Sequence, residues 1–411
     1  MKKKWLGIVI GVILSAVQTM PVWAEQATVR IGTAAELRAF AERVNGGDYG
    51  ADAVLTADID LDSQVWTPIG KDANECYTGT FDGNGYSIQG LKIESTNSYQ
   101  ALFKYSKGTV KNLTVYGEVT GANTVAGIVA SLLGGGAIQN CGNYATVTAA
   151  GNNYAAGIAA QVQGGAILDC YNAGVIQGNI YTGGIAGKTA SGTLNGETVN
   201  AQVVNCYNTG TIRSEKTNCG GIVGYALKTE IRNCYNSGRI NTSAAFRGGL
   251  IGNKQSGTSI ANCYYLDTSC AAGIGSYDMA PDTLTTPKTM EEMKEKVFIE
   301  ELGIAYAENT NGQNNGFPIL SWQKERNKKV IVTYEQGVIR AVASAGTEAT
   351  VYAAAYRGNT LRSIHKTELI SGTAAIQDST LELTGADAIR VFVWEDGMTP
   401  ACDTANFIIT E

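Results

Sequence analysis

A short apolar stretch of small residues recurs five times along the chain, and a polar phrase follows each copy. The stretches read as variants of Gly-Gly-Ile-Val-Gly and begin at Ala126, Ala156, Gly183, Gly220 and Gly248. Each polar phrase contains Asn-Cys or Asp-Cys, and in four copies a tyrosine follows the cysteine. A fixed period of this size is typical of a solenoid, in which each repeat packs against its neighbours.

The composition of the repeat favours strands over helices. Gly, Ala, Asn, Thr, Val, Ile and Tyr dominate it, and no apolar stripe of period 3.6 is present. The repeated cysteines are separated by 29, 36, 28 and 29 positions, so one unit fits one coil with about three short strands. We therefore predict an all-β fold, a right-handed parallel β-helix whose hand follows the rule for crossover connections.

Two local features refine this prediction. The one long interval contains Asn195-Gly196, a strong tight-turn signal, and we expect a small hairpin that protrudes from this coil. Ile138 and Cys141 are three positions apart, so strict alternation cannot point both side chains inward. A bend or bulge at the asparagine between them would restore the parity.

Equivalent residues of successive coils are expected to lie above one another as structural ladders. The predicted ladder residues are Cys141, Cys170, Cys206, Cys234 and Cys263, with Asn140, Asp169, Asn205, Asn233 and Asn262. The amides can hydrogen-bond to one another and to turn backbone. Nine cysteines in an exported protein would usually suggest disulfides. In-register neighbours in a parallel sheet rarely meet disulfide geometry, so the spacing favours free thiols.

Both ends of the coil stack carry capping signals. Thr33–Glu36 and Thr289–Glu292 are capping boxes, and the helices that they begin should end near Gly46 and Gly303. Residues 315–322 then predict a closing strand. Later strand-like stretches suit a small immunoglobulin-like β-sandwich. The predicted organisation is a signal peptide at 1–24, an N-terminal cap and lead-in segment at 25–100, the repeat β-helix at 101–275, a C-terminal cap at 276–325 and the sandwich at 328–411.

The N-terminal residues predict an exported protein. Lys2–Lys4 precede an apolar core, Trp5–Val17, that is too short to favour a bilayer-spanning helix, and we expect cleavage after Ala24. No later stretch predicts a transmembrane segment in the mature chain, which should be secreted or associated with the cell surface. The net charge of -6 disfavours nucleic acid and anionic membranes as partners. Residues 121–260 carry four acids and eight bases, which we interpret as a dispersed solvated surface.

Several segments together resemble the GLUG-motif proteins. They are Trp66–Gly70, Tyr77–Leu91 and the repeated Gly-Gly-Ile-Val-Gly and Asn-Cys-Tyr-Asn phrases. The same repeat occurs in regions of immunoglobulin A metallopeptidases and in exported bacterial surface proteins. The likeness covers about residues 27–322 and implies a β-helix on the cell exterior. It implies no reaction, because the family is mostly uncharacterised or adhesive.

The sequence offers little support for catalysis. A metallopeptidase needs a cluster such as His-Glu-x-x-His, and His365 is the one histidine of the chain. Polysaccharide cleavage needs two carboxylates about 5–10 Å apart, and the acids of the repeats do not recur at the repeat spacing. Asp58, Asp60 and Asp62 alternate along one strand, which we interpret as a polar face of the cap rather than a calcium site. We predict no cofactor and no metal.

The better functional candidate is a column of tyrosines that follow the ladder cysteines. If the cysteines point inward, these rings point outward and could contact sugar rings or an extended peptide. The alternative is that the stacked rings only stabilise the sheet. The candidate ligand-binding residues are Tyr171, Tyr207, Tyr235, Tyr264, Asn172, Asn208 and Asn236.

We therefore predict a non-catalytic exported protein of the surface or adhesion type. Its β-helix rod would present a binding face to surface glycans, extracellular matrix or host proteins. The alternative is a carbohydrate-active enzyme, a polysaccharide lyase or hydrolase acting on the flank of the β-helix. An acidic pair facing a groove would favour that alternative. The sequence leaves the ligand, the mode of attachment and the oligomeric state open.

Overall fold

The computed structural model describes residues 28–408 apart from short gaps. The gaps are 152, 276–281, 310–313, 327–329, 336–337, 344–349, 358–359, 369–372, 378–380, 382, 385, 387, 396–398 and 401–404. The predicted signal peptide and Cys402 lie outside the described residues. No helix in the described ranges is both long enough and apolar enough to cross a membrane.

Three parallel sheets form the wall of a solenoid, as the repeat predicts. The six-stranded sheet consists of Phe103–Ser106, Val129–Leu132, Ala159–Gln163, Ala186–Ala190, Val223–Ala226 and Ile251–Lys254. The five-stranded sheet consists of Val125–Ala126, Tyr154–Ala156, Tyr181–Gly183, Cys219–Gly220 and Arg247–Gly248. The 20-stranded sheet consists of Val29–Ile31, Ala53–Leu55, Ile59–Asp60, Thr80–Asp82, Ser87–Glu94, Thr109–Lys111, Thr114–Gly121, Ala137–Gln139, Gly142–Asn143, Thr146–Ala149, Ala166–Leu168, Tyr171–Asn172, Ile176–Gly178, Ala201–Val204, Tyr207–Asn208, Ile212–Ser214, Thr229–Asn236, Ile240–Thr242, Ser259–Leu266 and Thr286–Lys288.

The coils begin well before the visible sequence repeat. Val29–Ile31 pairs in parallel with Ala53–Leu55, and that strand pairs with Thr80–Asp82. The same stack continues without interruption to Ser259–Leu266. One hydrophobic core of buried aliphatic, aromatic and cysteine side chains fills the interior along this length. The lead-in segment at 25–100 therefore contributes coils of its own as well as a capping helix.

A left-handed residue makes the expected bend in every repeat. Asn140, Asp169 and Asn205 have φ values of 51°, 54° and 54°, a conformation that Asn and Asp adopt more readily than other residues. Asn233 and Asn262 share it. This bend restores the parity, because it lets the isoleucine before it and the cysteine after it both reach the core.

Side-chain amides of these bend residues form the predicted ladder. Asn205 Nδ2 donates to Asp169 Oδ1 at 2.8 Å, and Asn233 Nδ2 donates to Asn205 Oδ1 at 2.9 Å. Asn262 Nδ2 donates to Asn233 Oδ1 at 3.2 Å. In the preceding coils, Asn140 Nδ2 donates to Asn112 Oδ1 at 3.1 Å. Asp169 interrupts the pattern, because an ionised carboxylate has no donor.

The ladder cysteines are buried in the core and stack in register, as Cys234 and Cys263 do. Each thiol lies 3.1–3.3 Å from the carbonyl oxygen two residues before it. The eight cysteines within the described ranges are free. Burial raises the pKa of the Cys170, Cys206 and Cys234 thiols well above its usual range, so these groups stay protonated and unreactive at neutral pH.

The hairpin in the long repeat forms. Gly192–Leu194 pairs antiparallel with Glu197–Val199, and Asn195 and Gly196 have the positive φ of a two-residue turn. The hairpin packs against an earlier coil. Its Thr193 O lies so close to Gly134 that a Cβ added to this glycine would be only 2.3 Å from that oxygen. The predicted hairpin is therefore present. Residues 193–198 are exposed, and the backbone of Thr193 packs closely against an earlier coil.

Both predicted capping boxes are present. Glu36 N and Glu292 N donate to the threonine hydroxyls three residues earlier, each at 3.2 Å. The first helix is Ala34–Asn45. The second box begins a 3-10 turn, Glu292–Lys294, and the helix Lys296–Leu302 follows. The two are separate elements because Glu295, which lies between them, is extended.

The closing strand is shorter than predicted. Only Ile319–Leu320 is a strand, and it pairs antiparallel with Tyr306–Ala307. Ser321 and Trp322, which were expected in that strand, begin the helix Ser321–Arg326. This helix carries Trp322 and Gln323 against the side of the solenoid.

The C-terminal residues form two antiparallel sheets. One sheet consists of Val330–Glu335, Val338–Ala343 and Thr373–Gln377. The other consists of Thr350–Arg357, Thr360–Glu368, Ala388–Glu395, Thr399–Pro400 and Ala405–Ile408. Buried residues of both sheets, such as Ile339 and Val391, belong to one hydrophobic cluster. The predicted antiparallel character is present.

Candidate functional site

The predicted tyrosine column stacks as expected but is not an open surface. The rings of Tyr171 and Tyr207 are 5.2 Å apart and nearly parallel, and those of Tyr207 and Tyr235 are 5.1 Å apart. Tyr207 is 2% exposed and Tyr235 is 0% exposed. The expectation of an exposed binding column is therefore wrong for these rings, because another part of the same chain packs over them.

The layer over this column consists of residues 293–309 and 314–323, which we call the covering segment. Tyr207 Oη donates to Gln323 Oε1 at 2.9 Å, and Tyr235 Oη donates to the carbonyl oxygen of Pro318. Trp322 Nε1 donates to the backbone oxygen of Asp169 at 2.9 Å. These bonds join residues far apart in sequence, and they satisfy the polar ends of rings whose faces are buried.

Apolar contacts complete the cover. Phe298 meets Tyr264 edge to face at 5.2 Å and Tyr235 at 5.7 Å. Met293, Phe298 and Leu302 belong with the tyrosines to one hydrophobic cluster outside the main core. Burial raises the pKa of Tyr207 and Tyr235 well above the usual range of a phenol. The column is thus the docking surface for the covering segment.

The asparagines predicted to line the binding face point inward instead. Asn172, Asn208 and Asn236 are 0% exposed. Asn172 Nδ2 donates to Asn208 Oδ1, and Asn208 Nδ2 donates to Asn236 Oδ1, both at 2.7 Å. Each Nδ2 also donates to the carbonyl two residues later. Strict alternation explains the correction, because residues two apart in a strand face the same side and the cysteines face the core.

This interior amide ladder also explains the paired glycines of the repeat. A Cβ on Gly157 would lie 2.2 Å from Asn172 Oδ1, and one on Gly184 would lie 2.5 Å from Asn208 Cγ. Such distances are shorter than any real contact between non-bonded atoms, so the bend between the strands of the two smaller sheets needs glycine where it faces the ladder.

The acids considered for calcium have structural partners. Asp58 Oδ1 accepts hydrogen bonds from Ser87 N and Ser87 Oγ at 2.7 and 2.8 Å. Asp60 Oδ1 accepts one from Asp62 N at 2.8 Å. Among the residues that the structure describes, no three His, Cys, Asp or Glu side chains form a group that could hold a metal ion. His365 lies in the strand Thr360–Glu368, half-buried.

The structure leaves a different set of aromatic rings partly open, on and beside the six-stranded and five-stranded sheets. We call these rings and the lysine among them the tyrosine flank, which consists of Tyr99, Tyr105, Tyr154, Tyr181, Lys188 and Tyr225, all of them half-buried. Tyr99 lies outside the strands, and the other five lie in them. Tyr99 and Tyr105 stack at 4.8 Å, and Tyr154 and Tyr181 lie 5.2 Å apart. Tyr181 meets Tyr225 edge to face at 5.4 Å.

Sheet register fixes the spacing of the flank. Tyr154 and Tyr181 are partners in adjacent strands. In the six-stranded sheet a single column of partners runs through Tyr105, Ser131, Gln161, Lys188, Tyr225 and Asn253. In this column a buried hydroxyl, an amide and an ammonium group lie between the two rings, and a second amide follows them. Burial and a hydrogen bond with Tyr99 raise the pKa of Tyr105 well above the usual range of a phenol.

A shallow polar groove lies at the N-terminal end of the flank. It has a volume of about 550 Å³ and is lined by Asn45, Thr67, Pro68, Gly70, Lys71, Asn97, Ser98, Gln100 and Lys104. Several of these residues adjoin Tyr99 and Tyr105 in the chain. The groove therefore extends the flank with hydrogen-bonding groups.

The sequence did carry a signal for the flank. Tyr154 and Tyr181 each stand three residues before a repeat glycine, Gly157 and Gly184, and so recur at the same phase of the repeat. A further exposed pair, Tyr116 and Tyr144, stacks at 4.7 Å with an interplanar angle of 4° on another face.

Comparison with known proteins places the chain among proteins with this repeat. Residues 217–241 match the family model of the GLUG motif, which confirms the predicted resemblance. A protein of Bacteroides ovatus described as a "putative immunoglobulin A1 protease" has a crystal structure that covers 72% of this chain and 93% of its own. Its TM-score is 0.58 and its sequence identity is 22%, a likeness that shows the fold alone.

Two curated relatives match shorter stretches. "Halomucin" of Haloquadratum walsbyi is 32% identical over 28% of this chain and 1% of its own length. A "Putative Gly-rich membrane protein" of Evansella cellulosilytica is 36% identical over 22% of this chain and 11% of its own length. The chain thus spans only a small part of the relatives that it matches. The class defined by fold and motif is a parallel β-solenoid that carries GLUG repeats.

Proposed function

We propose that the protein is a non-catalytic exported protein of the cell surface, and that its solenoid presents the tyrosine flank to extracellular carbohydrate. The observation that carries this proposal is the set of half-buried rings spaced by the sheet register, with amides between them. Aromatic faces supply large contact area to sugar rings at low entropic cost, and amides suit hydroxyl groups.

The rigidity of the flank supports a binding role. The rings of Tyr154, Tyr181 and Tyr225 are carried by strands that pair with a neighbouring strand on each side. A surface that is already ordered loses little conformational freedom when a ligand binds. The covered column offers no such surface, because the covering segment occupies it.

Export to the cell surface rests on two supports. The first 24 residues have the composition of a secretory signal. One relative is named halomucin, and another is described as a Gly-rich membrane protein. These names apply to much longer proteins, so they support the placement of this chain only by similarity.

The chemistry of the flank supports a non-catalytic role for this surface. The six residues that define it are five tyrosines and one lysine. Hydrolysis of a glycosidic bond uses a pair of carboxyl groups on either side of that bond. Rings and an ammonium group can hold a sugar chain, but they do not supply that pair.

We also infer that the two C-terminal antiparallel sheets form an immunoglobulin-like sandwich that serves as a contact or presenting module. The shared hydrophobic cluster supports it, because inward-facing residues of two sheets meet in a sandwich core. Its partners would be extracellular matrix or host proteins.

The test is a glycan-array screen of the purified protein, followed by affinity measurement on any hit. The double variant Tyr154→Ala/Tyr181→Ala should weaken binding about thirtyfold, since aromatic contacts of this kind contribute about 1 kcal/mol each and about 2 kcal/mol together. The matched control is Tyr116→Ala/Tyr144→Ala, which removes two stacked rings from another face and should leave affinity unchanged.

Two results would contradict the proposal. If the control variant loses binding and the flank variant keeps it, the site lies at Tyr116 and Tyr144. If new reducing ends show that the protein shortens a bound polysaccharide, the hypothesis of a polysaccharide-degrading enzyme replaces the hypothesis of a non-catalytic protein.

A further inference from the structure

We propose that the tyrosine flank binds an acidic polysaccharide, with the chain lying along the solenoid axis and Lys188 contacting its anionic groups. This inference rests on the proposed carbohydrate-binding function and adds the chemical class of the ligand.

Lys188 lies at the centre of the flank. Its Nζ is 5.7 Å from the ring centre of Tyr154, 5.8 Å from that of Tyr181 and 5.6 Å from that of Tyr225. Such cation–π contacts stabilise the charge and restrict the position of the side chain. They provide no hydrogen-bond acceptor, so the three N–H donors of the ammonium can still serve a carboxylate or sulfate.

The ammonium has no acidic partner within the described ranges. The ion pairs there involve other residues, and the nearest in sequence is the pair Arg232–Glu230. The register column that contains Lys188 runs from Tyr105 to Asn253 without an Asp or Glu. The flank is therefore locally cationic in a protein whose net charge is -6.

The length of the flank suits a polymer better than a single sugar. Tyr105 lies four coils before Tyr225 along the register column. With a coil spacing of about 4.8 Å, these rings span roughly 19 Å. Gln161 lies between the rings in the same column, where its amide can meet hydroxyl groups. A sugar chain along the axis would meet the cation and several rings at once.

Two forms of one polymer test the ligand class. Affinity is measured by calorimetry for polygalacturonate and for the same polymer with its carboxylates methyl-esterified. We expect the acidic form to bind about fivefold more tightly, the size of a favourable surface charge pair. Lys188→Gln should abolish that preference, and Lys188→Arg should retain it because Arg keeps the charge and also stacks on rings. Thermal unfolding of each variant checks that it is folded.

The control is Lys324→Gln, which makes the same charge change at an exposed position of the helix Ser321–Arg326. It should leave the preference intact. Equal affinity for the two polymers overturns this inference while the carbohydrate-binding function stands. An equal loss of preference in Lys324→Gln also overturns it, because general electrostatics would then explain the effect. Failure of both polymers and of every glycan on the array refutes the proposed function as well.

Discussion

The two sets of stacked tyrosines in this solenoid differ in what lies outside them. The column of Tyr171, Tyr207 and Tyr235 is buried by the covering segment. The flank around Tyr154 and Tyr181 has similar ring spacing but stays half-buried. Register produces both stacks, so stacking alone does not identify a binding surface. The difference lies in whether another part of the chain supplies partners for the ring faces and hydroxyls.

The largest expected effect separates the two sets by stability. Tyr235 is fully buried, and its hydroxyl bonds to Pro318 O and Asn314 Nδ2. Tyr235→Ala should lower the free energy of unfolding by about 3–5 kcal/mol, as for other large-to-small changes in a core. Tyr181→Ala, at a half-buried ring, should cost about 1 kcal/mol. Chemical denaturation of both variants measures the difference, and equal losses would contradict the comparison.

A second prediction concerns the interior ladder beside the covered column. Asn208→Ala removes one acceptor of Asn172 Nδ2 and one of the two donors to Asn236 Oδ1 in the buried interior, where Gly238 N remains as the other donor. We expect a loss of about 2–3 kcal/mol in the free energy of unfolding, the cost of unsatisfied buried polar groups. Asn241→Ala removes the same side chain at an exposed position and should change stability by less than about 0.5 kcal/mol. Similar values for the two variants would show that the ladder is not stabilising.

Local rules accounted for much of the fold. The recurrence of Asn-Cys placed the coils in register, and the three-residue spacing of Ile138 and Cys141 required the bend that Asn140 makes. Asn195-Gly196 identified the hairpin turn. The inward position of Asn172 was also available from alternation, because Cys170 two residues earlier faces the core.

The cover over the tyrosines could not be read from the repeat. The bond between Tyr207 and Gln323 spans 116 positions, and the bond between Trp322 and Asp169 spans 153. Contacts at such separations depend on the path of the chain after the last coil, which no local pattern specifies. The same limit explains the hairpin, whose packing on Gly134 depends on earlier coils.

A third prediction concerns a variant that weakens the attachment of the covering segment and leaves the solenoid core unchanged. Gln323 Oε1 accepts hydrogen bonds from Tyr207 Oη at 2.9 Å and from Leu320 N at 2.7 Å. Gln323→Ala should cost about 1–2 kcal/mol and raise hydrogen exchange in the covering segment. Exchange at the tyrosine flank should not change. Lys324→Ala, at the exposed neighbouring position, is the control. Faster exchange throughout the solenoid would mean that the cover and the coils open as one unit.

The smallest expected effect concerns Asp169 in the ladder of bend residues, whose backbone oxygen accepts the hydrogen bond from Trp322 Nε1. Burial raises the pKa of Asp169, although the hydrogen bond from Asn205 and the charge of Arg232 oppose the shift. Because the folded pKa lies above the unfolded value, ionisation weakens the fold as pH rises from about 4 through the folded pKa. Asp169→Asn cannot ionise and gains an amide donor, so it should be more stable than the parent protein by about 1 kcal/mol at pH 7.

That advantage should shrink as the pH falls toward 4, since the parent carboxyl then becomes protonated in both states. Unfolding free energies of the two proteins, compared from about pH 4 to about pH 8, measure the difference. Asn205→Asp, the reverse exchange on the adjacent rung, removes the donor to Asp169 and sets two carboxyls side by side. It should destabilise the protein at pH 7 and recover at low pH. A pH-independent gain in Asp169→Asn would assign the effect to the added hydrogen bond and not to the charge.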